Sequence, residues 1–327
     1  MKINNIQVLR AVAALLVVFH HSLTYTLNVG NDPKYLKIFQ GFGEIGVDIF
    51  FVISGFVIVH SQYLNPKTSF QFIISRLVRI VPLYWFLTIT TFIVAIFFPH
   101  IFSSGFSVSN LWFIQSLTFT SFFLTNNHPM IYLGWTLEYE MLFYVCFALS
   151  ILTKKINNII IVTAMIFTFL ILFFNTNIII YEFILGMIIG KILIFYKFKS
   201  ISSIYFIVYL FLFTSLIFIH DLPFMSKIHN LFYFGIPSAV LVYLLASIPQ
   251  TKNRLLIYLG DSSYSIYLIQ FFSIPLFYKL LFFSSLNIND NFIPILCLFF
   301  SAGVGVTTFY FLENRLTKYI KNIFQPS

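Results

Sequence analysis

Residues Ile6-Gln7-Val8-Leu9-Arg10-Ala11-Val12-Ala13-Ala14-Leu15-Leu16-Val17-Val18-Phe19-His20-His21 decide the fold class. The stretch is apolar apart from Gln7, Arg10 and the closing histidine pair, and it lies in a longer run, 5–27. About 20 residues of helix cross a bilayer, so this run is long enough. It does not read as a secretory signal, because it carries an arginine and no small-residue cleavage site follows it. Similar runs lie near 43–62, 79–99, 132–153, 157–174, 178–196, 202–219, 230–248, 262–282 and 292–312. The chain therefore reads as one all-α domain, 1–327, a polytopic transmembrane helical bundle of about ten spans.

Composition agrees. The 327 residues are 59% hydrophobic and 9% charged, with mean hydropathy +0.93. Soluble domains carry about 25% charged residues. In water so apolar a chain would aggregate, whereas in lipid it is the expected composition. No stretch remains for a soluble catalytic domain. Cys146 and Cys297 each lie in an apolar run and read as small buried hydrophobes rather than a disulfide or a metal pair. No convincing ligand spacing for a metal appears among the histidines and acids. The net charge of +9 does not point to nucleic acid, because the basic residues mostly flank spans.

Those basic residues also set a topology. With a cytoplasmic N-terminus, the inner side collects Lys2, Arg10, Lys67, Arg76, Arg79, Lys154, Lys155, Lys191, Lys197, Lys199, Lys252, Arg254, Arg315, Lys318 and Lys321. The outer side collects only Lys34, Lys37, Lys227 and Lys279. This is the positive-inside bias. The apolar segment 106–125 is broken by Ser, Asn and Trp and followed by Asn126-Asn127-His128-Pro129. It reads as a re-entrant or surface helix, with an eleventh crossing as the alternative; a crossing there would invert every later loop.

Charged groups in spans are costly and invite functional readings. Arg10 and His21 are eleven residues apart, so they differ by only about 20° around a helix axis and about 16 Å along it. His20 lies off that face. The histidines are equally readable as interfacial residues. Asp48, one turn inside the second span, can orient an imidazole or pair with a buried arginine; Ser54 and Gly55 read as small packing residues. Arg76 and Arg79 share a helical face at the inner edge. They read either as bilayer anchors or as ligands for an anionic cofactor, since guanidinium matches phosphate. Glu138 and Glu140 lie at the outer entrance of the fourth span beside Trp135, an interface anchor or a sugar-stacking platform. Glu182 stands isolated, and Glu313 with Arg315 reads mostly as surface charge.

Five stretches together make a pattern: Ile6 through His21, Gly46 through Phe56, Arg76 through Pro82, Gly134 through Tyr144 and Leu259 through Gln270. On them the chain resembles the membrane-bound acyltransferase family 3, and more closely its branch that modifies exopolysaccharides and capsules. The resemblance implies a protein of the bacterial cytoplasmic membrane, and the alternation of sides puts both termini inside. It would transfer an acyl group, usually acetyl, from cytoplasmic acyl-CoA to a hydroxyl of an exported polysaccharide or its lipid-linked precursor. It makes His21 the essential histidine, Arg10 its partner, Arg76 and Arg79 the paired arginines that would bind the CoA phosphates, and Glu140 the acid of the tryptophan–glutamate segment. Glu138 and Trp135 would then face the acceptor. Glu140 or Asp48 would hold the imidazole in one tautomer. Many members carry histidine where this chain has Gln270, which weakens a catalytic role there. No tightly bound cofactor is expected. An exporter of lipid-linked saccharide, or a scaffold of an assembly complex, is the alternative; neither would hydrolyse or transfer an acyl-CoA.

The topology makes a direct prediction. Reporter fusions at Lys155 and Ser327 are expected to read cytoplasmic, and one near Asn127 extracytoplasmic. A cytoplasmic signal at Asn127 would break the arrangement.

Overall fold

The computed structural model describes residues 3–99, 108–195, 202–219 and 230–324, and all regular structure among them is helical. The α-helices are α1 (Asn4–Asn28), α2 (Ile45–Leu64), α3 (Ser69–Phe97), α4 (Asn110–Leu117), α5 (Ser121–Thr125), α6 (Gly134–Ser150) and α7 (Ile156–Phe174). They continue with α8 (Tyr181–Phe195), α9 (Ser203–Ile219), α10 (Ile236–Ser247), α11 (Arg254–Asp261), α12 (Ser263–Ser284), α13 (Ile293–Thr308) and α14 (Asn314–Phe324).

Among the described residues, eight helical stretches are long and apolar enough to cross a membrane. The expected ten are not all found. The stretches read as spans at 202–219 and 230–248 hold the shorter apolar helices Ser203–Ser215 and Leu231–Ser247. Both lie next to residues 220–229, outside the described ones. Lys2, Lys197, Lys199, Lys227 and Ser327 lie outside the described residues. The described part of segment 106–125 holds no helix long enough to cross. It comprises α4 and α5, helices of 8 and 5 residues. The Trp85 indole donates to the Leu117 carbonyl at 2.9 Å and the Trp112 indole to the His128 carbonyl at 2.9 Å.

The ends of the helices group as an alternating bundle requires. At one end Lys67, Arg76 and Lys321 lie near one another. At the other, the α1–α2 loop meets the α12–α13 loop, where the Asp32 amide donates to Asp290 Oδ2 at 2.7 Å and the Tyr35 amide to Asn291 Oδ1 at 3.0 Å. Apolar side chains such as Ile93 and Phe97 on α3, Leu172 and Phe173 on α7 and Phe211 on α9 stay exposed. Facing lipid, they carry no penalty. Cys146 and Cys297 are buried and unpaired with each other, as their apolar runs suggested.

Helix α2 runs through the middle, packed on α1, α8 and α10. Its contact with α8 depends on two glycines. A side chain at Gly55 would strike the Phe183 carbonyl, and one at Gly186 would strike the Val52 carbonyl. Small residues let membrane helices approach this closely, which matters because lipid offers no hydrophobic force to drive helices together. Substituting Gly186→Leu should destabilise the bundle by about 1–3 kcal/mol, the usual cost of overpacking. Thermal unfolding in detergent measures it, with Gly303→Ala as a neutral control because open space surrounds Gly303. Equal melting of both variants would show that the α2–α8 crossing is not tight.

Candidate active site

Helix α3 begins sharply. Thr68 Oγ1 accepts from the Gln71 amide at 3.3 Å, and Gln71 Oε1 accepts from the Thr68 amide at 3.1 Å, a capping box. Arg76 and Arg79 follow about two to three turns later on the same helix. Arg10 of α1 joins them in lining one cavity of about 900 Å³ empty volume, part of it open to solvent. Among the described residues no carboxylate stands within ion-pair distance of these three guanidinium groups. Arg10 donates to Gln7 Oε1 at 3.1 Å, and the Arg76 guanidinium lies 5.4 Å from the Phe72 ring centre with its buried Nε unpartnered.

Glu140 lines the same cavity, but it is held by hydroxyls: Ser54 Oγ donates to its Oε1 at 3.1 Å, and the Tyr144 hydroxyl also donates to it. Ser54 is therefore more than a packing residue. Sequence spacing places Glu140 about 9 Å below Gly134, level with the arginines rather than with His21. At the far end, Tyr267 and Thr136 complete the lining. The Tyr267 hydroxyl lies 2.9 Å from Thr136 Oγ1 and 3.2 Å from the Leu133 carbonyl.

His21 sits one turn of α12 beyond that closure. Its Nδ1 lies 3.2 Å from Gln270 Oε1, and its ring meets the edge of Tyr132 at 5.2 Å between centroids. His20 is engaged differently: its Nε2 is 3.4 Å from Glu44 Oε1. The helical arithmetic separating the two histidines thus agrees with their partners.

Several expected contacts are not made. Neither Glu140 nor Asp48 holds the imidazole. Asp48 is buried against Glu182 of α8, so Glu182 is not isolated either. Periodicity could not find that pair, which joins two helices far apart in sequence. Glu138 is buried and its Oε2 accepts from the Phe122 amide at 2.9 Å, anchoring α5. Trp135 packs among Phe51, Phe122 and Tyr139. Both side chains are engaged with the protein and do not line the arginine cavity.

Two residues were undervalued. Glu313 is not surface charge: it is buried, and Ser265 Oγ donates to its Oε2 at 2.5 Å. The helix does not end there. A π-helical turn, Phe309–Glu313, links α13 to α14, and its extra residue rotates the following face. Glu313 then lies close enough to Arg10 and Arg79 to act on both electrostatically. Gln270 is the polar partner of His21. Its signal was an amide in mid-span, visible had uncharged polar groups been weighed like charged ones. Among the described residues no cluster of histidine, cysteine and acidic side chains is placed to hold a metal.

A family model described as an acyltransferase domain matches residues 3–311. The chain belongs to that family, membrane-bound acyltransferase family 3. Its similarity also runs to the exopolysaccharide branch. It is 32% identical over 163 residues to the exopolysaccharide production protein ExoZ of Rhizobium meliloti (strain 1021). That match covers 46% of this chain and 50% of the relative, so the chain spans about half the relative's length. No solved structure matches.

Replacing Arg76 and Arg79 together by glutamine should weaken acyl-CoA binding about 10-fold or more, given about 1.5–3 kcal/mol for a hydrogen bond to a charged group. Equilibrium binding to purified, folded protein checks it. Unchanged affinity would assign the pair to topology alone.

Proposed function

We propose that the protein transfers an acyl group, acetyl in the simplest case, from cytoplasmic acyl-CoA to a hydroxyl of an exported polysaccharide or its lipid-linked precursor. It does so from the bacterial cytoplasmic membrane, with both termini cytoplasmic and ten crossings, the two shorter apolar helices completing the count. The observation that carries the reading is the cavity lined by Arg10, Arg76 and Arg79 without a paired carboxylate, whose lining reaches Tyr267, one turn of α12 from the Gln270 that meets His21. Guanidinium groups in that setting favour phosphate oxygens. Glu140 and Glu313 keep the cluster from repelling itself apart while leaving the guanidinium donors free for a ligand.

The donor's phosphates occupy the arginine layer and its pantetheine arm extends toward Tyr267. Rotation of the Tyr267 side chain off Thr136 joins the cavity to His21. The imidazole then takes the proton of the acceptor hydroxyl, and the oxygen attacks the thioester carbonyl. The carbon–sulfur bond breaks, and CoA leaves as a thiolate that takes up the proton from the imidazolium. Imidazole is the natural base near neutral pH. A two-step route through an acylated His21 needs the same free nitrogen lone pair.

His21→Ala should lower acyl transfer by about 10²–10⁴, the usual range for a lost general base. His20→Ala should leave a measurable rate, because His20 is engaged with Glu44. The assay reads transfer per correctly inserted molecule, with mass spectrometry for an acylated His21. Near wild-type turnover in well-folded His21→Ala would remove the assignment, and a dead His20→Ala would move it to the neighbour. An exporter or scaffold would show neither hydrolysis nor transfer.

A further inference from the structure

Gln270 sits in the middle of α12, buried, with its side chain fixed at both ends. Its Nε2 donates to the Tyr267 carbonyl at 2.8 Å, and its Oε1 lies 3.2 Å from His21 Nδ1. The first contact determines the second. A carbonyl oxygen can only accept, so the amide nitrogen must face Tyr267 and the amide oxygen must face the imidazole. Flipping the amide would set two oxygens against each other at 2.8 Å. An amide oxygen can only accept, so Nδ1 must carry a hydrogen. In a neutral imidazole the other nitrogen, Nε2, then holds the lone pair.

We propose that Gln270 is the positioning residue that selects the Nδ1–H tautomer of His21 and so presents Nε2 as the base of the transfer reaction. This rests on the reading of His21 as the base. Gln270 does in this chain what a carboxylate does in a catalytic triad, without bringing a charge into the membrane. The surroundings are consistent. The Val17 carbonyl also faces the ring, one turn back on α1. The nearest titratable neighbours are His20, whose ring meets His21 edge-on at 5.1 Å between centroids and is itself paired with Glu44, and the Tyr132 ring. The Tyr267 carbonyl that fixes the amide belongs to the residue whose hydroxyl closes the donor cavity, so one turn of α12 both closes the cavity and orients the base.

The test joins a spectroscopic readout to kinetics. Nitrogen-15 NMR of histidine-labelled protein in detergent, with the His21 signal assigned by its loss in His21→Ala, reports which ring nitrogen is protonated. Wild type should show the proton on Nδ1. Gln270→Leu, similar in size but unable to accept, should lose that signature. Its kcat should fall by about 10²–10⁴, the range for a lost or mis-set base, with the KM for acyl-CoA unchanged, because Gln270 does not line the arginine cavity. Gln270→Glu in its protonated form, whose hydroxyl donates to the Tyr267 carbonyl while its carbonyl oxygen accepts from Nδ1, should restore the Nδ1–H signature and bring kcat back to within about tenfold of wild type. If Gln270→Leu keeps the proton on Nδ1, the tautomer is held by the Val17 carbonyl that also faces the ring, and the proposal is overturned. A tautomer shift without loss of kcat overturns it equally. Full turnover in His21→Ala would remove the base assignment beneath it, a failure told apart because the Gln270 signature in wild type would stand.

Discussion

Three guanidinium groups share one cavity inside the bundle, and the two carboxylates nearest to them bond to hydroxyls instead of closing on them. A charged side chain at the centre of a bilayer span costs about 2.5–3.5 kcal/mol on insertion scales. Such a group persists where it has a partner, water or a ligand. Here Glu140 is held by Ser54 and Tyr144, and Glu313 by Ser265, at positions that offset positive charge without consuming the donors. The arginine layer is electrically tolerable and chemically open at once. Much of the remaining architecture serves that condition: the π-helical turn that swings Glu313 inward, and the close α2–α8 crossing that fixes the helix carrying Ser54.

Helices α1 and α12 convert this layer into a path. They pack together along their lengths, so Arg10 and Tyr264 lie low, Tyr267 higher, and His21 with Gln270 higher still. By helix rise the step from Tyr264 to Gln270 is about 9 Å. The guanidinium layer and the His21–Gln270 contact thus occupy different depths in one bundle, separated by the Tyr267–Thr136 contact. An acyl donor recognised on the inner side and an acceptor arriving from the outer side are compatible with such a division.

How much of this the sequence revealed follows from the range of each interaction. The arginine pair on α3 and the common face of Arg10 and His21 lie within single helices, where a period of 3.6 residues is enough. The fold class follows from length and composition. Partners across helices were not legible: Ser54 meets Glu140 across 86 positions and His21 meets Gln270 across 249. Spacing carries no information about which helices become neighbours. Asp48 was matched with an imidazole because both were rare polar groups in early spans, whereas packing set it against Glu182. Glu313 was lost because the last helix was ended at its final apolar residue, and a π-helical turn has no sequence mark that counting can see.

The same reasoning explains why a neutral amide, and not an acid, stands beside His21. The arginine cavity already holds a carboxylate in Glu140, with Glu313 close behind it, and His20 already engages Glu44 beside His21. A further anion against His21 would compete for the same arginines across low-dielectric protein, where charges interact over longer distances than in water. An amide accepts one hydrogen bond and adds no net charge, so it can hold the ring while leaving the field of the guanidinium layer intact. The cost is that an amide stabilises an imidazolium less than a carboxylate does, so the ring is held in its neutral form.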